Sequence, residues 1–294
     1  MGGRSELSEA FFQQLIELFS LMSELTMSIP WFEFFPTPKY RRFKKVLASI
    51  EQTCAQFVKN ADAHHQAQQT DPATRFDLLQ HMRQNGQSEE RVLRNATTMF
   101  LAGSDSTTHT LMWLLYNLGR FPHVQEKLRA ELDQHLPPGT PLTAETLHEL
   151  KYLRATVKES MRLTPTASGL TRRFPHPIAV GGREVPAGTI IFLASFITNQ
   201  KAEHFDQPDQ LIPERWLETD RSKRPNSWLH IPFGNGPRVC QAFRLAELEA
   251  YVCMAKLVRN FRWTTENTVE PIMHLFLKPD RDVQIRWEQI SASS

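Results

Sequence analysis

Apolar residues recur at a helical period from the start of the chain: Leu7, Phe11, Leu15, Leu18, Phe19 and Met22 share one face of residues 6–26. "SIPWFEFFPTP" (28–38) interrupts that period with three prolines around an aromatic cluster, and further helical patterns cover 40–67, 75–84 and 89–120. The last of these, "VLRNATTMFLAGSDSTTHTLMWLLYNLGR", is apolar nearly all round, which predicts a helix buried across the middle of the fold. Shorter helices are expected over 122–136 and 143–163. The texture then changes. "RRFPHPIAVGGREVPAGTIIFLASF" alternates, carries Gly and Pro turns and is rich in β-branched residues, so it predicts a small sheet. Residues 203–232 are irregular, with prolines at 208, 213, 225 and 232, and the helical period returns over 244–260. "HLFLKPDRDVQIRW" predicts a hairpin around Lys278–Asp282. The expected class is mainly α with a minor β part, in one domain without internal repeats.

Charge and cysteine content narrow the function classes. With 34 basic and 32 acidic residues the net charge is +2, so the chain has no polyanion footprint and no nucleic-acid partner is expected. The three cysteines, Cys54, Cys240 and Cys253, are too few and scattered for a disulfide framework or a four-ligand zinc site. Glu6, Glu9, Gln13, Gln14 and Glu17 break up the first helix, so it lacks the apolar run of a signal peptide. Ser5 falls one position short of the myristoylation pattern. A soluble or peripheral protein is expected.

Three polar features stand out against this background. "AGSDST" (102–107) lies inside the apolar helix; Gly103 weakens it, Asp105 is costly there unless paired or functional, and the hydroxyls can bend it. The group reads either as a satisfied kink or as a groove offering an acid and a hydroxyl for proton transfer. Glu159 and Arg162 meet on one helix face, alone an ordinary surface pair, although Arg215 in "PERW" could complete a network with them. In "FGNGPRVC", Gly234, Asn235 and Gly236 hint at a phosphate loop, but Val239 replaces the third glycine and no βαβ pattern surrounds it. What remains is a cysteine at a helix start, where unpaired amides and the dipole favour negative charge. Glycines there allow close backbone approach, and Arg238 is placed for an anion. These parts suit heme bound through sulfur.

On these residues the chain resembles the cytochrome P-450 superfamily of heme-thiolate monooxygenases. The cysteine signature is met by Phe233, Gly236, Arg238, Cys240, Ala242, Ala246 and Glu249, with Ala242 at the usual glycine position. The E-x-x-R signature is met by Glu159 and Arg162, and the Pro-Glu-Arg segment by Pro213, Glu214, Arg215 and Trp216. The oxygen-activation signature is met by Ala102, Gly103, Asp105 and Thr107, with Ser106 where the family normally has threonine. "LKYLRATVKESMRL" sets Arg154 and Lys158 four apart, as in the mitochondrial clan, and "RLAELE" also looks like that clan.

The resemblance implies the rest. The chain is expected to be a partial member lacking the N-terminal helices and part of the β domain. Residues 6–68 would be the F and G helix region, 88–121 the long central I helix, 146–164 the E-x-x-R helix, 172–200 the small sheet, and 233–260 the heme-thiolate loop with its helix. Heme b would be the cofactor and O2 the co-substrate, with Cys240 as iron ligand favouring O–O cleavage. Phe233, Gly234, Gly236 and Ala242 would line the heme, and Arg172 and Arg238 would meet its propionates. Asp105 and Ser106 would deliver protons, while Glu159, Arg162 and Arg215 would hold the core together. A lipophilic, sterol- or steroid-like substrate would meet Met99, Ala102, Ala167, Ser168, Gly169, Leu170, Leu275 and Phe276. Arg154 and Lys158 would dock a ferredoxin served by its reductase. The aromatics at 29–36 suit peripheral membrane contact. The clan's place is the mitochondrial inner membrane, with endoplasmic reticulum or cytosol as alternatives. The rival is a non-catalytic remnant that binds heme or a redox partner poorly.

Overall fold

The computed structural model describes residues 6–67, 78–137, 140–220 and 222–290. Residues 75–77, residue 68 and Ser5 lie outside them. The helices, in chain order, are α1 (Glu6–Met27), α2 (Pro38–Ala67), α3 (Leu78–Gln84), α4 (Glu89–Arg120), α5 (Pro122–His135), α6 (Ala144–Glu149), α7 (Lys151–Leu163), α8 (Ser195–Asn199) and α9 (Phe243–Asn260). The strands are β1 (Leu170–Arg173), β2 (Ile178–Val180), β3 (Arg183–Val185), β4 (Ile190–Leu193), β5 (Phe261–Thr265), β6 (Pro271–Met273), β7 (Leu277–Pro279) and β8 (Ile285–Gln289). The mainly α class is confirmed. No described helix is long and apolar enough to cross a membrane.

The chain divides into two units at Asp105 and Ser106, within α4. In the first, α1 packs along α2 and buries Phe11, Leu15, Leu18, Val46 and Ile50. Arg83 of α3 forks between Asp62 of α2 at 2.9 Å and Glu89 of α4 at 2.8 Å. Between α1 and α2, the 3₁₀ turn Trp31–Glu33 leaves Ile29, Trp31, Phe34 and Phe35 exposed.

The second unit has the larger core. Leu114 and Leu118 of α4 join Leu128 and Leu132 of α5, Leu153, Val157 and Met161 of α7, Ala250, Met254 and Val258 of α9, and Trp263 of β5. Glu131 of α5 accepts the first amides of α7, from Tyr152 at 2.6 Å and Leu153 at 2.8 Å. A carboxylate from a neighbouring helix therefore caps the helix that carries Glu159 and Arg162.

Four expectations need correction. Helix α4 is not buried throughout: Trp113, Leu114 and Tyr116 to Leu118 are, whereas Met99, Phe100, Ala102, Gly103 and Thr108 are exposed and Asp105 only half-buried. The hydroxyls of Ser104 and Thr110 bond to carbonyls one turn back, on Phe100 at 2.7 Å and on Ser106 at 2.9 Å, so the helix itself satisfies them whether or not that face is covered. The helix expected over 143–163 is two, because α6 ends at Glu149 and α7 starts afresh at Lys151. The small sheet is a pair of separate ladders, β1 with β4 and β2 with β3, and α8 occupies 195–199. The C-terminal stretch is not one hairpin. Strand β7 pairs with β6, and β8 crosses to β5 with Trp287 opposite Trp263, their rings 5.2 Å apart. Local turn chemistry could not foresee that aromatic pair.

Candidate active site

The irregular stretch 203–232 is ordered by one buried carboxylate. Glu159 and Arg162, one turn apart on α7, are both fully buried. Oε1 of Glu159 accepts from Arg162 Nη2 at 3.0 Å, Arg215 Nε at 2.8 Å and the Ile212 amide at 3.2 Å. Oε2 accepts from Arg162 Nε at 3.0 Å and Trp216 Nε1 at 2.8 Å. Arg162 spends its remaining donors on backbone carbonyls of Asn199, Pro208 and Gln210, at 2.8, 2.9 and 3.1 Å. Arg215 adds the carbonyl of Asp206 at 3.0 Å. A charged pair this deep persists only when its lone pairs and protons are so fully used. Its work is to pin a largely irregular stretch, with a 3₁₀ turn at Pro213–Trp216, onto α7.

That segment is built to present a thiol. Gly234 and Gly236 take φ of +77° and +73°, a backbone that side chains with a Cβ resist. Asn235 caps the short turn by accepting from the Gly236 amide at 2.7 Å. The Cys240 amide returns to the Phe233 carbonyl at 2.9 Å, closing the loop. Phe233 packs on Phe243 of α9 at 6.2 Å, and Ala242 is the residue before that helix. Cys240 is free and exposed; of the three cysteines only Cys54 is buried. Arg238 is exposed, and among the described residues neither it nor Arg172 forms an ion pair.

Strand β1 brings the second arginine to the same place. A Cβ on Gly234 would come within 3.7 Å of Leu170, so β1 lies against the loop. Arg172 is two residues on from Leu170, on the same strand face. An exposed thiol, open space at Gly236 and two guanidiniums without an ion pair, Arg172 donating only to the Thr171 carbonyl at 2.9 Å, suit a flat, dianionic ligand. Among the described residues no group of three His, Cys, Asp or Glu could hold a metal. A metal at Cys240 therefore has to bring its other ligands with it. The residues present fit heme.

The remaining expected residues fall into two groups. Ser106 and the segment at Ala167–Leu170 are linked through residues that sequence reasoning missed: Thr110, which bonds the Ser106 carbonyl, meets Thr166 at 2.6 Å. Thr166 also accepts the Leu277 amide at 2.8 Å, and Phe276 lies 6.0 Å from His109 of α4. The part of α4 around His109 and Thr110 therefore meets Thr166 and the Phe276–Leu277 segment. Thr107 reaches Glu249 of α9 at 3.4 Å. Met99, Ala102 and Asp105 belong to the first unit. Arg154 and Lys158 are exposed on α7, with Lys158 Nζ 4.2 Å over the Trp216 ring.

Trp216 and His230 carried no assigned role. The His230 ring lies 4.8 Å from Trp216, and its Nδ1 is buried without a hydrogen-bond partner. Burial, with the charges of Lys158 and Arg162, pushes its pKa down to about 3, so it is neutral at physiological pH. The property comes from a half-buried ring whose Nδ1 is enclosed near two cations, and spacing along the chain does not show it.

The chain belongs to the cytochrome P-450 family, whose model matches residues 3–287. The family is defined by a heme b cofactor and O2 as co-substrate. The chain is 35% identical over 201 residues to the mitochondrial 1,25-dihydroxyvitamin D(3) 24-hydroxylase of Mus musculus, covering 67% of this chain and 38% of that protein. It is 33% identical over 205 residues to the mitochondrial 25-hydroxyvitamin D-1 alpha hydroxylase of Rattus norvegicus, covering 68% and 40%. A probable mitochondrial cytochrome P-450, 12b2, of Drosophila melanogaster is 29% identical over 269 residues, covering 87% and 50%. The chain thus spans about two fifths to one half of the length of these curated relatives. The clan these relatives represent is the mitochondrial one.

Proposed function

We propose that the protein is a heme-thiolate monooxygenase that inserts one oxygen atom of O2 into a lipophilic substrate of sterol or steroid type. The observation that carries this reading is the Phe233–Cys240 loop, which holds a free thiol outward beside Arg238 and β1. Heme bound there supplies electron uptake and activation of O2. Cys240 would supply the sulfur that holds the iron, Arg172 and Arg238 would bind the two propionates, and Phe233, Gly234, Gly236 and Ala242 would bed the ring. Asp105 takes protons from solvent and Ser106 passes them on at its hydroxyl oxygen. The segments at Ala167–Leu170 and Leu275–Phe276 orient the substrate and exclude water. Glu159, Arg162 and Arg215 keep the loop's surroundings in place.

Electrons come from a ferredoxin-type donor, reduced by its own reductase, that docks on Arg154 and Lys158. The names of the relatives support a mitochondrial location, and the exposed aromatics at 29–36 support peripheral contact with the inner membrane. The test is spectroscopic. Reduced protein under carbon monoxide should show the Soret band of thiolate ligation, and Cys240→Ser should lose it. Protein that takes up no heme would be the non-catalytic remnant instead. Ser106→Thr should raise product formed per reductant consumed; an unchanged ratio would remove Ser106 from proton delivery.

A further inference from the structure

Helices α7 and α9 pack through Leu153 and Val157 on one side and Ala250 and Met254 on the other. That packing fixes what lies along the edge of the junction. Arg154 and Lys158 stand four apart on α7, and Glu247 and Tyr251 stand four apart on α9. The charges of Arg154 and Lys158 both act on Glu247 across the junction, and that of Arg154 also acts on Tyr251. Lys158 is further held by the Trp216 ring, at 4.2 Å. Glu247 is half-buried and closes on neither cation to salt-bridge distance. It therefore attenuates the positive patch without clamping it.

We propose that Glu247 is an internal counter-charge that competes with an acidic partner for Arg154 and Lys158, setting how tightly and with what salt sensitivity that partner docks. The inference rests on the docking reading above. An incoming carboxylate that reaches Arg154 or Lys158 shares each cation with Glu247, so part of the attraction is already used inside the chain. Burial raises the Glu247 pKa while the two cations lower it, as expected for a carboxylate placed to serve them rather than solvent. Lys158, fixed over an indole, loses little side-chain freedom when a partner arrives.

The experiment uses the full chain and an acidic iron–sulfur ferredoxin immobilised on a biosensor, at low and at physiological salt. Glu247→Gln should bind about 2–5-fold more tightly at low salt, the range of a surface-exposed pair. Its affinity should also fall more steeply with salt, because one more positive charge is left uncompensated. Glu247→Asp, which keeps the charge, should bind as the unaltered chain does. Arg154→Gln with Lys158→Gln should weaken binding at least tenfold. Thermal midpoints of all variants exclude loss of folding as the cause. If the double variant weakens binding but Glu247→Gln leaves it unchanged or weaker, the counter-charge is overturned and the docking site stands. If the unaltered chain does not bind, or the double variant binds equally well, the docking reading falls and takes the inference with it.

Discussion

The Glu159 network and the Cys240 loop lie in the same unit and are joined by one stretch of chain, yet they solve opposite problems. Glu159 and Arg162 are wholly withdrawn from solvent, and the carboxylate accepts five hydrogen bonds. Cys240 is exposed, and the loop is closed by the Cys240 amide on the Phe233 carbonyl and by the Asn235 side chain on the Gly236 amide, with the thiol taking no part. One cluster of polar groups is satisfied entirely by the chain and the other keeps its functional groups for something else. The difference separates residues that hold the fold from residues left open for the chemistry proposed above, although both clusters belong to the same family signatures. It also predicts different failures when either is altered.

The largest effect is expected at Glu159. Glu159→Ala leaves Arg162 buried without its counter-ion and frees Arg215, Trp216 and the Ile212 amide together. Breaking a buried pair in this way costs about 3–5 kcal/mol. Denaturant unfolding of the second unit should show that loss, along with early proteolysis within 199–216. A stability change under about 1 kcal/mol would mean that the network is not what pins the loop, and the comparison above would break.

A smaller, pH-dependent effect should come from His230. Its native pKa lies near 3 and its unfolded value near the ordinary 6.5, so the unfolded state binds the proton first. Its stabilising neutrality is fully present above about 6.5 and is lost progressively as pH falls toward about 3, with a slope of at most about 1.4 kcal/mol per pH unit. His230→Phe keeps a ring against Trp216 and removes the titration. The variant should therefore lose stability less steeply than the unaltered chain between neutral and mildly acidic pH. Parallel curves would show that His230 is open to solvent and no part of the buried cluster.

The sequence showed some of this readily and some not at all, for physical reasons. Helices α1, α2, α4, α5 and α9 follow from periodicity because each buries one long apolar face. The roles at Glu159, Arg162 and Cys240 were carried by family signatures, since a Glu-x-x-Arg by itself is no more than a surface pair. Depth along α4 was misread because Ala102, Gly103, Thr107 and Thr108 are small enough to suit an exposed helix face as well as a buried one. The pairing of β8 with β5 depends on Trp263 and Trp287, 24 residues apart, which no local pattern links. His230, Trp216 and Thr166 gain their meaning only from what other segments bring to them.

The cap on α7 gives a finer test of the buried side of the comparison. Glu131 serves the amides of Tyr152 and Leu153 from another helix, so Glu131→Gln weakens a charge-assisted cap without opening a cavity. The expected cost is about 1 kcal/mol, with hydrogen exchange quickening first at 151–153 and leaving Glu159 protected. Faster exchange spread evenly along α7 would mean that the Glu159 network depends on the cap.

The smallest expected change in stability is the one with the largest functional consequence. Cys240 touches little of the protein, and its amide bond to Phe233 is independent of the side chain. Cys240→Ser should therefore unfold, without added heme, within about 0.5 kcal/mol of the unaltered chain, as exposed substitutions do. The same protein given heme should lose the spectral signature of sulfur ligation. If Cys240→Ser instead destabilises the heme-free chain by several kcal/mol, the thiol is a packing group, and the division between residues that hold and residues that react fails at its clearest point. If stability holds and the signature goes, the loop's glycines and arginines are a bed prepared by the chain alone, awaiting only the ligand that the thiol selects.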